Sequence, residues 1–338
     1  MSLAQRLPEV WYRPRANAAA IALWPLSLLY ASLVALRRGA YRLGLLDRQR
    51  LPVPVIVVGN ITVGGSGKTP IVRALVHELR ERGLHPGVVS RGYGGSRKGP
   101  HVVIPSDAAA EVGDEPAMLA RGGIPVAVGR DRAGAARALL DRHREVDVIV
   151  SDDGLQHYAL ARDVEIVVVD ATRVFGNGLH LPAGPLREPV SRLREADAVV
   201  LRGAGPPVAG VGPAPTFSAS EDVLPLRNLA DAARSADLAS LPQGTVHAVA
   251  GIADPARFFA KLRGMGLTIV EHAFPDHYPF VRSDLQLPGA RAIVMTEKDA
   301  VKCAAFADAH MWFLPIEARL PPELPALVLE RIRGRQAA

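Results

Sequence analysis

Residues 59–70, GNITVGGSGKTP, place Gly64, Gly65 and Gly67 in front of a Lys-Thr pair, directly after an apolar, β-branched run. A strand, a glycine-rich turn and a helix opening at Lys68 is the arrangement in which backbone amides and a helix N-terminus surround phosphate. Gly64, Gly65, Ser66 and Gly67 would supply those amides, Lys68 would reach the β- and γ-phosphates, and the Thr69 hydroxyl would ligate Mg2+. ATP with Mg2+ is the cofactor pair this chemistry expects. The usual phosphate-loop pattern has glycine six positions before the lysine, where this chain has Thr62. Lysine is scarce, five against 35 arginines, which argues against a chance placement behind the glycines. A glycine-rich turn without a ligand is the blander alternative.

Such a site needs a carboxylate for the metal, usually at the end of a neighbouring strand. The stretch VDVIVSDDGLQH offers Asp152 and Asp153 behind an apolar run. In a doubly wound sheet that is where Mg2+ would sit. Alone, Asp-Asp-Gly reads equally well as a turn.

Both motifs need strands to deliver them. β-Branched runs at 53–59, 86–90, 102–104, 124–128, 147–151, 165–170 and 198–201 alternate with helix-period stretches. The clearest is 70–82, where Ile71, Val72, Leu75, Val76 and Leu79 share one face and Gly83 stops the run. This alternation predicts an α/β fold with a P-loop, doubly wound, mostly parallel sheet covered by helices on both faces. A Gly/Pro-rich stretch at 203–215 reads as a linker. Runs at 245–251, 267–274, 290–296 and 311–315 predict a second, smaller α/β domain. The expected division is a membrane-associated segment at 1–50, the P-loop domain at 51–203, a linker at 204–215, and a smaller domain at 216–338 that closes over the substrate.

The 338 residues contain one cysteine, Cys303, which excludes an intrachain disulfide and any multi-cysteine metal centre. Residues 1–50 carry eight arginines and two acids, and the rest of the chain balances at 32 basic against 32 acidic residues. A body-wide basic surface for nucleic acid is therefore disfavoured, and a local basic attachment segment is favoured. Between Arg15 and Arg37 lie 21 residues without a charge, 16–36, a length that could just cross a bilayer core of ~30 Å. A cleaved export leader, a spanning helix interrupted by Pro25, a helix or hairpin lying in the membrane surface, and a buried core helix are the readings open to it. Trp11, Tyr12, Trp24, Tyr30 and Tyr41 suit headgroup depth, and the flanking arginines suit anionic lipid, so membrane contact is the favoured reading. No obligatory protein partner is evident.

Eight motifs stand in an order and spacing that resemble the tetraacyldisaccharide 4'-kinase (lipid A 4'-kinase) family. They are GNITVGGSGKTP, SRGYGG (90–95), VGDEP (112–116), SDDGLQH (151–157), GPLREP (184–189), GIADPARFF (251–259), FPDHYPF (274–280) and TEKDAVK (296–302). The resemblance implies an inner-membrane enzyme facing the cytoplasm. It would use ATP and Mg2+ to phosphorylate the 4'-hydroxyl of a tetraacylated glucosamine disaccharide 1-phosphate, in lipid A biosynthesis. It also implies two α/β units with the substrates between them and an N-terminal hydrophobic helix docking on the membrane.

The same resemblance makes Asp114 the catalytic carboxylate, beside Lys68, and supplies His277 as its partner. From the residues alone, Asp-Glu-Pro at a helix start is an ordinary N-cap followed by a first-turn proline. Their contact would need the two units to close about the 203–215 linker. Glu115, His157, Arg187 and Glu188 resemble pocket residues around the sugar or phosphates, with structural ion pairs as their plainer reading. Arg91 could meet an anionic group or be a solvated loop arginine. TEKDAVK reads by default as a strand-to-helix turn with charged caps. The alternative from another class is a membrane-associated P-loop ATPase or switch without a lipid acceptor.

Overall fold

The apolar runs become strands delivered to one edge. A computed structural model of the chain describes residues 10–12, 17–65, 67–203, 205, 208, 211–231, 233–237 and 246–336. Its first strands are β1 (Val55–Gly59), β2 (Pro86–Ser90), β3 (His101–Val103), β4 (Val126–Val128), β5 (Val148–Asp152), β6 (Val164–Asp170), β7 (Ala198–Arg202) and β8 (Thr216–Val223). Then follow β9 (Leu226–Asn228), β10 (Ser235–Ala236), β11 (Val246–Ala250), β12 (Ile269–Ala273), β13 (Ala292–Thr296), β14 (Met311–Leu314) and β15 (Ile316–Arg319). They form a nine-stranded sheet, β15-β8-β7-β6-β1-β5-β2-β4-β3, and a six-stranded sheet, β10-β9-β14-β13-β11-β12.

In the larger sheet only the β3–β4 and β8–β15 pairs are antiparallel. Every residue of β1, β2, β5 and β6 is buried, as expected of parallel strands covered on both faces. Along β1, Ile56 and Val58 pack toward α2 (Lys68–Glu81), while Val55 and Val57 face α5 (Arg132–Arg142). Strand β1 lies between β5 and β6, and Val58 is in register with Asp152 of β5. The glycine-rich turn after β1 and the Asp-Asp turn after β5 are thus neighbours at the carboxyl edge, where open α/β sheets bind ligands.

The second sheet is covered by α6 (Pro255–Gly264) on one face and α7 (Glu297–Cys303) on the other. The chain does not stay there to its end, which corrects the expected 216–338 unit. β8 pairs with β7, β15 pairs with β8, and Leu324, Val328 and Ile332 of α8 (Glu323–Gln336) join the core of the first sheet. The reason is edge pairing: β8 and β15 extend the larger sheet and cover groups that β7 would otherwise expose. The stretch 203–215 therefore joins two paired strands of one sheet and is no hinge between the sheets; residues 204, 206, 207, 209 and 210 of it lie outside the described set. The chain crosses between sheets after β8 and again after β14, and the two crossings touch where Leu224 N–H donates to the Pro315 carbonyl at 3.1 Å. Arg73–Glu297, Arg257–Asp170 and Lys261–Glu221 ion pairs hold the sheets together.

The uncharged N-terminal run forms α1 (Ala18–Arg42), capped by Asn17, whose side chain accepts from Ala20 N–H. Only a narrow stripe docks: Ala20 and Ser27 are buried, Ser27 Oγ donates to the His180 carbonyl, and Tyr30 OH donates to the Arg187 carbonyl. Ile21, Trp24, Leu28, Leu29, Leu33 and Leu36 stay exposed, so α1 is not a core helix. It is long and apolar enough to cross a membrane by length and composition. Arg6, Arg13 and Arg15 of the basic segment lie outside the described residues.

Candidate active site

Helix α2 opens at Lys68 because Gly67 before it takes a left-handed φ of 70°, and Gly64 turns the loop at φ 106°. The left-handed backbone favours glycine at 67, and a Cβ there would also make the Arg202 side chain shift. Ser66 lies outside the described residues. Thr69 Oγ1 donates to Asp152 Oδ2 at 3.1 Å, and Lys68 Nζ lies 3.3 Å from Asp153 Oδ1. The loop and the acidic turn are thus already in contact.

The two adjacent carboxylates are driven apart electrically. Burial, then the Glu115 charge and, against the opposing pull of Lys68, Asp153, push Asp152 up to about 7. Burial also acts to raise Asp153, but Lys68 and Arg187 outweigh it and hold its carboxyl down at about 2. Asp152 Oδ1 is buried and finds no hydrogen-bond partner among the described residues. An uncompensated buried carboxylate oxygen beside a hydroxyl and a second carboxylate fits Mg2+, which uses one or two carboxylates and takes its other ligands from phosphate and water. Among the described residues no group of three or more His, Cys, Asp or Glu side chains could hold a metal by itself. Arg132, buried beneath this turn, donates to the Gly129 carbonyl at 3.0 Å and to the carbonyls of Asp152 and Asp153 at 3.4 Å.

Across from the acidic turn, α4 (Asp114–Arg121) presents Asp114 and Glu115 in its first turn. The N-cap position belongs to Gly113, and no side chain caps there, so Asp114 is not the N-cap that the Asp-Glu-Pro pattern suggests. Its carboxylate is instead engaged by the second sheet: His277 Nδ1 lies 2.9 Å from Asp114 Oδ2. His277 has φ 59°, Asp153 has φ 50°, and Val174 is the other non-glycine residue at positive φ among the described residues. Left-handed backbone costs a side-chain-bearing residue on the order of 1 kcal/mol and tends to gather at functional sites.

Arg187 donates to Asp153 at 3.1 and 3.2 Å, while its own carbonyl receives Tyr30 OH from α1. Glu115 pairs with Lys298 at 3.4 Å. Arg91 stands exposed at the carboxyl end of β2. Glu188 departs from the expected pocket role. It is fully buried, accepting from Gln156 Nε2 at 3.0 Å and Tyr158 OH at 2.5 Å and pairing with Arg192 and Arg38. With its oxygens consumed and none of its surface open, it anchors α1 rather than meeting a sugar.

His157 occupies the turn after Gly154, where burial, then Arg132 and Arg162, push its pKa down to about 4. Its described contacts are backbone ones within that turn. Folding thus favours the neutral ring, and the native chain binds fewer protons than the unfolded one between pH 6.5 and about 4. Stability present above pH 6.5 is expected to fall as pH drops through that window, and less steeply in His157→Gln. Thermal midpoints of both proteins along a pH series check this; parallel curves would count against it.

TEKDAVK does more than cap a helix. Thr296 does cap α7, accepting from Asp299 N–H, and buried Asp299 accepts from Gly251 N–H at 2.9 Å. The helix so fixed delivers Lys298, 3.3 Å from His277 Nε2, and Lys302, 3.9 Å from Asp114 Oδ2. Sequence reasoning missed both, together with Asp276 and Tyr93 beside His277. The available signal was lysine scarcity: positions 68, 298 and 302 are three of the five lysines.

Comparison with known proteins finds similarity over nearly the whole chain. Residues 19–333 match the family described as tetraacyldisaccharide-1-P 4'-kinase. The tetraacyldisaccharide 4'-kinase of Azoarcus sp. (strain BH72) is 52% identical over 336 residues, covering 98% of this chain and 97% of its own. That of Alkalilimnicola ehrlichii is 50% identical over 322 residues, covering 94% and 93%. Among solved structures, the "apo" form LpxK from Aquifex aeolicus in complex with ATP superposes with a TM-score of 0.79 at 30% identity, over 93% of this chain and 99% of that one. Matched to that family over residues 19–333 and about half identical to relatives along nearly its full length, this chain belongs to the tetraacyldisaccharide-1-P 4'-kinase family.

Proposed function

We propose that the protein transfers the γ-phosphate of ATP to the 4'-hydroxyl of a tetraacylated glucosamine disaccharide 1-phosphate, with Asp114 accepting the hydroxyl proton. The observation that carries the residue assignment is the Asp114–His277 contact at 2.9 Å between residues 163 apart in sequence. Asp152 and Asp153 are less suited to take the proton because both would be committed to Mg2+ beside Thr69, and Asp153 is also bound to Lys68 and Arg187. Lys68 and the loop amides neutralise charge on the transferring group, usually the largest contribution in such reactions. Thr69, Asp152 and Asp153 would hold Mg2+, whose charge would further polarise the phosphates. Arg187, and Arg91 at the pocket rim, are the side chains suited to an anionic group of the substrates. The test is transfer of labelled phosphate from ATP to the disaccharide lipid in detergent, with and without Mg2+. Hydrolysis of ATP without lipid phosphorylation would instead favour an ATPase or switch.

The exposed face of α1 supports docking on the cytoplasmic face of the inner membrane. Because Tyr30 of α1 touches the Arg187 carbonyl, the helix that meets lipid also borders the phosphate-transfer site. Replacing Leu29 and Leu33, 58% and 57% exposed, by glutamate should leave stability within about 0.5 kcal/mol. Each leucine withdrawn from lipid forfeits ~1.5–3 kcal/mol, so binding to anionic vesicles should fall more than tenfold in a flotation assay. Unchanged flotation would rule this face out as the membrane contact.

A further inference from the structure

Lys298 Nζ has three N–H donors and three acceptors within reach: Asp276 Oδ1 at 3.2 Å, His277 Nε2 at 3.3 Å and Glu115 Oε1 at 3.4 Å. A lysine ammonium only donates, so the nitrogen it meets on His277 must carry the lone pair. The proton of a neutral ring is then on Nδ1, 2.9 Å from Asp114 Oδ2, and that nitrogen donates. We infer that Lys298 is a positioning residue of the transfer site, donating to His277 Nε2 and so holding the ring with its proton on Nδ1, which donates to Asp114. The inference rests on Asp114 being the proton acceptor.

The surroundings sharpen this. Around His277 stand Asp114 and Glu115 from α4, Lys298 and Lys302 from α7, Asp276 in its own loop with Oδ2 3.8 Å from Nε2, and Tyr93 edge-on at 5.0 Å. Burial works against the Lys298 ammonium, but Glu115, Asp276 and Asp114 outweigh it and raise its pKa, so it stays a donor. Lys302 is pinned by Asp299 at 2.6 Å and by the Gly251 carbonyl at 3.4 Å, which leaves its charge beside Asp114. In the transfer step the bond from the 4'-oxygen to phosphorus forms as the bond from phosphorus to the ADP oxygen breaks. The hydroxyl proton moves to an Asp114 oxygen. His277, its Nε2 occupied, keeps its own proton and does not take that one.

Ring 15N shifts of His277, assigned by comparison with His277→Gln, read the tautomer directly between pH 6 and 9. In the wild type the neutral ring should be the Nδ1–H tautomer. Lys298→Met should free Nε2, so that the neutral ring also shows the Nε2–H tautomer and kcat falls tenfold or more with the ATP KM unchanged. Lys298→Arg, also donor-only, should restore the Nδ1–H tautomer and most of kcat. A neutral wild-type ring with its proton on Nε2 overturns the inference, and that spectrum decides even if Lys298→Met does not fold. So does a Lys298→Met ring that keeps the wild-type pattern. Asp114→Asn separates the two claims: retention of rate there refutes the base assignment itself, whereas loss of rate with an unaltered Lys298→Met ring refutes only the role of Lys298.

Discussion

Lys68→Ala is expected to lower kcat for lipid phosphorylation by roughly 10²–10³-fold or more while the protein remains folded, because it removes a charge aimed at the transferring group. Its structural role predicts a second consequence. Lys68 and Arg187 together hold the Asp153 carboxyl down at about 2 against burial. Without the lysine, Asp153 and Asp152 repel each other with one counter-charge fewer, and the nucleotide-free protein should become more sensitive to added divalent cation. Rapid-quench measurement of labelled phosphate transfer, with a thermal melt in the same buffer, checks both parts. A near-normal rate in a folded Lys68→Ala protein would remove the phosphate loop from the account.

Asp114→Asn carries the next largest expected effect. The amide preserves shape and can still accept from His277, but it is a very poor proton acceptor. General-base catalysis contributes typically about 10²–10⁴-fold, so kcat should fall within that range while ATP affinity, measured by calorimetry, stays close to wild type. A parallel fall in ATP affinity would place Asp114 in nucleotide binding instead.

The parts of the site readable from sequence are those in which local pattern and global placement agree. β1, the glycines and the start of α2 are contiguous, so periodicity and turn chemistry delivered them together. Asp152 and Asp153 were identifiable because an apolar strand led into them, although their adjacency to the loop depended on β5 pairing with β1, a non-local choice. The return of β8, β15 and α8 to the first sheet left no such trace. β8 alternates exposed residues with half-buried or buried ones next to the edge strand β15, and nothing local says which sheet such a strand joins. Glu188 resembled a pocket residue because burial of a glutamate is decided by partners far along the chain, here Arg38, Gln156 and Tyr158. Lys298 and Lys302 were hidden for the converse reason: on a short helix beside Glu297 and Asp299 they read as solvated charge, and only docking of α7 onto α4 turns them toward His277 and Asp114.

The account depends most on Asp114 and His277 acting as one unit, and a double-mutant cycle on single-turnover phosphate transfer measures that directly. Residues that act together lose their effect once, so Asp114→Asn combined with His277→Ala should be slower than Asp114→Asn alone by less than about threefold, although His277→Ala by itself slows transfer tenfold or more. Losses that multiply fully across the cycle would show two independent contributions and contradict the account.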